Sequence, residues 1–209
     1  MRDEAVVWDR FSEIYDTFMR RDMPAYRTII EKVSRLVKPE SAVLEVATGT
    51  GILALGIAGY IKQIDAVDLS RKMILKAKKK ARDLGITNVR FLVRNAYSLG
   101  YENGSFDLVI VSNTLHIMPQ PEKALAEIKR VMKPDGLLIA PTFAHAGSRK
   151  AVLFSPLASV AGFRAYQKWT QESFCRFLMK NGFDIVETEL LSASFPLVYC
   201  CCKPAGAKH

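Results

Sequence analysis

The chain has 209 residues, of which 49% are hydrophobic, and 30 basic against 21 acidic residues give it a formal net charge of +9. This length suits one well-buried core, so we expect a single domain over residues 1–209. The opening MRDEAVVWDR has charges where a signal peptide needs an apolar core, and no apolar run is long enough to span a bilayer. We therefore expect a cytoplasmic protein. The four cysteines lack CxxC spacing, which predicts free thiols and no metal site.

Two amphipathic helices are predicted near residues 4–20 and 23–37. Five apolar runs follow, at AVLEV, IDAVDL, VRFLV, FDLVIV and GLLIA, and helical stretches separate them. This alternation indicates a parallel sheet with helices on both faces. The last two runs, FDIVETEL and FPLVYCCC, are joined by a connection too short for a helix, so they should be antiparallel neighbours. Residues 146–168 are interpreted as a helix or lid beside the sheet.

The strongest motif is VLEVATGTG followed by ILALGIA, which predicts a strand, a tight glycine turn and a helix start. Such a turn brings backbone N–H groups to the carboxyl end of the first strand, where open α/β sheets bind ligands. Asp68 ends the second strand, where a carboxylate can accept hydrogen bonds from ribose hydroxyls; its alternative role is an exposed cap for the helix that starts near Arg71. Gly49, Gly51 and Ala54 also match the dinucleotide pattern, so an NAD-type oxidoreductase is an alternative.

Five pieces of sequence, in this order, resemble the class I S-adenosylmethionine-dependent methyltransferases, particularly the ubiquinone and menaquinone biosynthesis branch. They are WDRFSEIYD, LEVATGTG, VDLSRKM, NGSFDLVIVSNTLHIM and EIKRVMKPDGLLI. The resemblance implies an α/β, Rossmann-like three-layer sandwich with a mostly parallel seven-stranded sheet and an antiparallel terminal strand. It also implies S-adenosyl-L-methionine as the cofactor. A cofactor-binding subunit that catalyses nothing is a further alternative.

The resemblance also implies a role for individual residues. Those placed around the methionine part of the cofactor are Glu45, Ala47, Thr48, Gly49, Thr50 and Gly51. Asp68 would hold the ribose, and the residues around the adenine would be Leu69, Met73, Asn95 and Ala96. Ser112 would lie beside the sulfonium and Tyr15 would close over the cofactor. Two positions depart from the family pattern, since Ala47 replaces a glycine and Asn95 replaces an acidic residue.

Methyl transfer is a one-step displacement, so the protein mainly supplies alignment and dry surroundings. An acceptor such as a phenol needs a group that removes its proton, and His116 is the histidine placed for that work; packing against the following helix is its alternative. His145 is a second candidate. Tyr15 is a third, and its alternative is an ordinary helix aromatic.

The resemblance favours a small hydrophobic acceptor, such as a quinol, a lipid or a thiol. The apolar segment 151–166 would then form an acceptor pocket or rest on a membrane, or else belong to the core. Nucleic acid is a weaker choice, because SNTLH stands where amino-methylating nucleic-acid enzymes carry (D/N)PP(Y/F), and no basic module is appended. The run Cys200 to Cys202 should alternate between the two faces of a strand, which argues against joint metal coordination and for burial.

Overall fold

The computed structural model describes residues 2–144 and 166–206. Within these ranges eight strands form one sheet: β1 (Val43–Val46), β2 (Ile64–Asp68), β3 (Val89–Val93), β4 (Phe106–Val111), β5 (Met132–Ile139), β6 (Thr142–Phe143), β7 (Phe183–Leu191) and β8 (Leu197–Pro204). The helices of the same ranges are α1 (Arg2–Phe11), α2 (Tyr15–Met19), α3 (Met23–Leu36), α4 (Ile52–Ile57), α5 (Arg71–Asp83), α6 (Pro121–Val131) and α7 (Gln171–Lys180). The predicted lid at 146–168 lies outside the described residues, except for its last three positions.

The strands follow the order β3-β2-β1-β4-β5-β8, and β7 pairs with the far side of β8. The first five are parallel, whereas β8 runs antiparallel to both β5 and β7. The predicted mostly parallel sheet with an antiparallel final strand is therefore confirmed. Seven strands were predicted, and the sheet has eight within the described ranges. The additional strand is formed by Thr142 and Phe143, which pair with Val198 and Leu197. Two residues are too few to give a period in the sequence.

Two apolar cores lie on opposite faces of the sheet and give the molecule its three layers. One core packs α3, α4 and α5 against the sheet, and the other packs α6 and α7. Successive residues of β8 alternate between them, so Cys201 belongs to the first core while Cys200 and Cys202 belong to the second. This alternation is the one expected of a strand that is covered on both faces.

The prediction of one helix over residues 4–20 is wrong, because the segment breaks between Phe11 and Tyr15. The Ser12 hydroxyl donates to the carbonyl of Asp9 at 2.8 Å. Such local bonds compete with the helical hydrogen-bond ladder and favour a helix end. The chain then continues through α2 and the 3-10 turn Arg20–Asp22 into α3, close to the predicted second helix.

The strand register brings three strand ends to one place. Val46, the last residue of β1, pairs with Val67 of β2 and with Val111 of β4. The loops that follow these three strands therefore leave the sheet side by side, at the edge where parallel sheets bind ligands. Within the described ranges no helix combines the length and the apolar character needed to cross a membrane.

Candidate active site

The turn between β1 and α4 places three residues in the left-handed region of backbone space. Their φ angles are +56° at Ala47, +56° at Gly49 and +80° at Gly51. A Cβ on Gly51 would lie 3.0 Å from the Phe91 ring, so this glycine is required by both conformation and packing. Ala47 holds the same kind of conformation with a Cβ, which costs about 1 kcal/mol relative to glycine. The departure from the family's glycine is therefore a point of backbone strain.

Glu45 lies beneath this turn and is only 2% exposed. Its Oε2 accepts a hydrogen bond from the Thr48 hydroxyl at 2.5 Å and another from the Ala54 N–H at 2.9 Å. Burial raises the pKa of Glu45 to about 7, although these two hydrogen bonds oppose the rise. The carboxyl group thus links the turn to the start of α4 through Oε2. Its other oxygen, Oε1, can accept a hydrogen bond from a ligand.

Asp68 ties the end of β2 to the glycine turn. Its Oδ2 accepts from the Gly49 N–H and its Oδ1 from the Ser70 N–H, both at 2.8 Å. Burial raises the pKa of Asp68 to about 6, against the effect of these hydrogen bonds. The cap of α5 is Ser70, whose side chain accepts from the Met73 N–H, so the alternative of an exposed capping Asp68 is wrong. Each carboxylate oxygen keeps a lone pair for another donor.

The remaining residues assigned to the cofactor lie around the same strand ends. Met73 is buried, whereas Leu69, Asn95, Ala96 and Ser112 are half-buried. The Asn95 side-chain oxygen accepts from the Tyr97 N–H at 2.9 Å and so holds the loop after β3.

The hydroxyl groups of both threonines in the turn form hydrogen bonds with other residues of the protein. The Thr48 hydroxyl is engaged by Glu45, as described above, and the Thr50 hydroxyl donates to Asp16 of α2 at 2.5 Å. Lys80 of α5 donates to both Asp16 and Thr50, at 3.0 and 3.1 Å. The Thr48 backbone is engaged as well, since its N–H donates to the Val67 carbonyl and its carbonyl accepts from the Gly51 N–H. The threonines therefore hold the turn in place.

Tyr15 begins α2 and lies against the glycine turn, where a Cβ on Gly49 would be 3.6 Å from its ring. Burial raises the pKa of Tyr15 well above its usual value, and the nearby Tyr26, Asp68 and Glu45 raise it further. Its phenol therefore stays protonated at neutral pH and is unsuited to act as a general base. The ring is placed to shield the turn from water.

A second polar group follows β4. Asn113 has a φ of +50°, and its side-chain N–H donates to the Tyr26 hydroxyl at 2.8 Å. The Asn113 Oδ1 is buried and has no hydrogen-bond partner in the part of the chain that is described, whereas the Ser112 side chain interacts with the Tyr26 hydroxyl. Buried polar atoms without partners are costly, and they are found at sites that receive a ligand. Strain at a non-glycine residue with positive φ is also typical of functional sites.

Sequence reasoning missed Tyr26 and Asn113 as site residues. Tyr26 reads as one residue of the apolar stripe of α3, and its 3% exposure agrees with that reading. The signal that could have identified it is its hydroxyl, because a buried tyrosine needs a polar partner from another element. Asn113 lies within the run NGSFDLVIVSNTLHIM, where the sequence assigned it no role.

His116 lies in the 3-10 turn Leu115–Ile117 and is 2% exposed. Its Nδ1 is 3.3 Å from the Thr142 hydroxyl. Its backbone carbonyl accepts from the N–H groups of Tyr166 and Gln167. This enclosure favours a packing role. His145 and most of the apolar segment 151–166 lie outside the described residues.

The family is shown by comparison with known proteins. A model described as a methyltransferase domain matches residues 44–140. The ubiquinone/menaquinone biosynthesis C-methyltransferase UbiE of Rickettsia prowazekii is 32% identical over 176 residues, which cover 76% of this chain and 71% of that protein. The chain belongs to the UbiE-like branch of the class I S-adenosylmethionine-dependent methyltransferases. This methyltransferase therefore uses S-adenosyl-L-methionine, and nothing in these matches favours the oxidoreductase alternative.

Two further matches define the extent of the likeness. The methyltransferase shares its fold with an S-adenosylmethionine-dependent methyltransferase of Thermotoga maritima, with a TM-score of 0.73 and 23% identity over 95% of this chain and 98% of that chain. It is 33% identical over 99 residues to the uncharacterized methyltransferase YcgJ of Bacillus subtilis, which is 47% of this chain and 39% of that protein. The chain spans about half the length of most of the curated relatives it matches.

The residues at the strand ends fit this cofactor. The ribose hydroxyls and the methionine ammonium are hydrogen-bond donors, and the buried Asp68 and Glu45 offer acceptors at the ends of β2 and β1. The left-handed conformations at Ala47, Gly49 and Gly51 fold the chain tightly between these two acceptors. Among the described residues no group of His, Cys, Asp and Glu could hold a metal ion.

Proposed function

We propose that this methyltransferase transfers the methyl group to a ring carbon of a small hydrophobic quinol. The observation that carries the proposal is the buried Asn113 Oδ1, an acceptor that the Tyr26 hydroxyl orients through the other end of the same amide. Such an atom suits a hydroxyl donor on an otherwise apolar acceptor. The names of relatives such as the UbiE of Rickettsia prowazekii and a demethylmenaquinone methyltransferase support a quinone-type acceptor.

The cofactor end of the site would be held by the residues of the first three strand ends. We propose that the free lone pairs of Asp68 accept from the ribose hydroxyls and that Glu45 Oε1 accepts from the methionine ammonium. The backbone of Ala47, Thr48, Gly49, Thr50 and Gly51 would lie along the methionine part. The adenine would pack among Leu69, Met73, Asn95 and Ala96, and Ser112 would lie near the sulfonium.

S-Adenosylmethionine, when bound, supplies a methyl group on a positively charged sulfur. Asn113 Oδ1 accepts a hydrogen bond from the quinol hydroxyl, which directs the neighbouring ring carbon and increases its electron density. The ring carbon that accepts the methyl group would afterwards lose its own proton to solvent water, because neither the protonated Tyr15 phenol nor the enclosed His116 ring would take it. Tyr15 excludes water from the methyl transfer itself, which favours charge neutralisation in the transition state.

His116 is the remaining sequence-based candidate for removing a proton. Because its ring is enclosed and its Nδ1 faces Thr142, we propose that it positions the loop after β4 and does not act as the base. A substitution of His116 with Gln should then lower stability while leaving the pH profile of kcat/KM unchanged. Loss of one limb of that profile would instead assign the proton transfer to His116.

The cofactor assignment is tested by isothermal titration with S-adenosylmethionine, S-adenosylhomocysteine and NAD. The wild type should bind the first two and not NAD, and Asp68→Asn should weaken both by about tenfold or more, since one charged acceptor is lost. Asp184→Asn, an exposed aspartate on β7, is the matched control and should bind as the wild type does. Equal affinities for Asp68→Asn and wild type would contradict the proposed ribose contact.

The acceptor assignment is tested with a demethylmenaquinol analogue kept reduced, with methylated product detected by mass spectrometry. Tyr26→Phe frees the Asn113 amide and should raise KM for the quinol by about tenfold, with cofactor affinity within about twofold of wild type. Tyr60→Phe, at an exposed tyrosine, is the control. No product with any quinol, while cofactor binding is intact, would contradict the acceptor class but not the methyltransferase assignment.

A further inference from the structure

The short helix α2 and the residue before it present two large apolar side chains to solvent. Ile14 is 57% exposed and Phe18 is 55% exposed. The Phe18 N–H donates to the Ile14 carbonyl at 2.9 Å, so the two residues are one helical turn apart and lie side by side. Adjacent exposed apolar side chains of this size are typical of a contact surface rather than of an ordinary protein exterior.

This apolar pair is continuous with the active site. The Phe18 ring packs edge-on against Phe11 at 5.7 Å between centroids, and Phe11 packs against Tyr15 at 5.8 Å. Tyr15 in turn lies against the glycine turn at Gly49. A row of aromatic rings therefore leads from the molecular surface to the proposed cofactor site.

In the same segment the acidic side chains are paired, whereas three arginines are not. Its acidic side chains beyond the first helical turn are engaged within the protein: Asp9 with Ser70 and the Lys72 N–H, Glu13 with Lys76, Asp16 with Lys80 and Thr50, and Asp22 with the Ser194 N–H. Its arginines Arg10, Arg20 and Arg21 are exposed and have no ion pair with the residues that the structure describes. The exposed Glu13 and Asp16 are neutralised by Lys76 and Lys80, so the unpaired charges that this segment exposes are positive. Its exposed surface combines these cations with the apolar Ile14 and Phe18.

We infer that this face, the cap surface formed by Arg10, Ile14, Phe18, Arg20 and Arg21, docks on an anionic lipid bilayer. Apolar and aromatic side chains bordered by unpaired cations match the interface of such a membrane. A second copy of this chain fits less well, because a two-fold contact would bring the same arginines together. The lipid binding itself does not require the proposed function. The use of that binding does rest on the proposed function, because a quinol dissolved in the membrane would enter the site beside Phe18 and Tyr15.

The test is sedimentation of the full chain with phosphatidylcholine vesicles, with and without phosphatidylglycerol. Wild type should bind the anionic vesicles and lose this binding at high salt, because the charge attraction is screened. Ile14→Ser/Phe18→Ser and Arg20→Gln/Arg21→Gln should each bind about tenfold more weakly. Both variants should bind S-adenosylhomocysteine as wild type does, which shows that they are folded.

Two control variants carry the same chemical changes elsewhere on the surface. Val186→Ser/Leu190→Ser alters exposed apolar residues of β7, and Lys78→Gln/Arg82→Gln removes two exposed charges from α5. Both should bind anionic vesicles within about twofold of wild type. The inference would be overturned if the controls lost vesicle binding to the same extent, or if the wild type did not bind vesicles. It would also be overturned if Phe18 mediated a dimer or an RNA complex instead of vesicle binding. Vesicle binding without quinol methylation would leave it standing and refute only the proposed acceptor.

Discussion

At the scale of single residues, Ala47 is the clearest case of a side chain in an unfavourable backbone conformation. Because its φ is +56°, Ala47→Gly should raise the free energy of unfolding by up to about 1 kcal/mol. The measurement is urea denaturation followed by circular dichroism. Ala54→Gly, within α4, is the control and should lower stability, since it adds chain entropy without relieving strain. Destabilisation by Ala47→Gly would show that the turn does not hold Ala47 under strain.

The two buried carboxylates predict an unusual dependence of stability on pH. The pKa of Glu45 is raised from 4.5 to about 7 and that of Asp68 from 3.8 to about 6. The folded state therefore holds protons that the unfolded chain has already lost, so these groups make stability fall as pH rises from about 4 to about 7. Glu45→Gln should reduce this fall by up to roughly 3 kcal/mol.

Urea denaturation of the cofactor-free protein at several pH values between 4 and 8 checks this prediction. The matched variant is Glu102→Gln, at an exposed loop position. Its pH dependence should equal that of wild type. A Glu45→Gln profile parallel to the wild-type profile would mean that folding does not shift the pKa of Glu45.

At the scale of secondary-structure elements, Asp9 joins the N-terminal helix to the rest of the molecule. Its carboxylate accepts from the Ser70 hydroxyl at 2.5 Å and from the Lys72 N–H at 3.1 Å, at the start of α5. A carboxylate at this helix end is also favoured by the helix dipole. Asp9 is therefore the contact that ties α1 to the start of α5, while Glu13 and Asp16 tie the following residues to Lys76 and Lys80.

Asp9→Ala should release the N-terminal segment without unfolding the domain. We expect faster amide hydrogen exchange in residues 2–22 and severalfold weaker binding of S-adenosylmethionine, since Tyr15 loses its fixed place. Asp83→Ala, at the other end of α5, removes only an exposed pair with Lys79 and is the control. Unchanged exchange in residues 2–22 of Asp9→Ala would show that other contacts suffice to hold the segment.

The sequence predicted the sheet well because its strands are continuous apolar runs, and it predicted the N-terminal helices less well. The break after Phe11 has no proline or glycine to mark it, and the local Ser12–Asp9 hydrogen bond that accompanies it does not interrupt the apolar period of the sequence. In the site, Glu45, Gly49, Gly51 and Asp68 follow from local motifs. The Tyr26–Asn113 pair joins positions 87 residues apart, so no local pattern could show it.

At the scale of the whole molecule, the reactivity of the cysteines measures whether the two cores stay closed to solvent. Cys200, Cys201 and Cys202 are buried in β8, and burial raises the pKa of Cys200 to about 12 and that of Cys201 to about 11. Cys175 is half-buried on α7. A thiol reagent such as DTNB should therefore react readily with one thiol of the folded protein and with all four after unfolding. Cys175→Ser should abolish the fast reaction, and a remaining fast thiol would show that β8 opens to solvent.

The place of β8 between β5 and β7 also bears on how the protein is made. A ribosome completes β5 and β7 before β8, so the nascent chain holds two unpaired strand edges and two uncovered cores until β8 is synthesised. Open edges and exposed apolar surface are the features that promote aggregation and engage chaperones. Closure of the sheet therefore has to wait for β8, and the yield of folded protein depends on how well the incomplete chain is protected from aggregation.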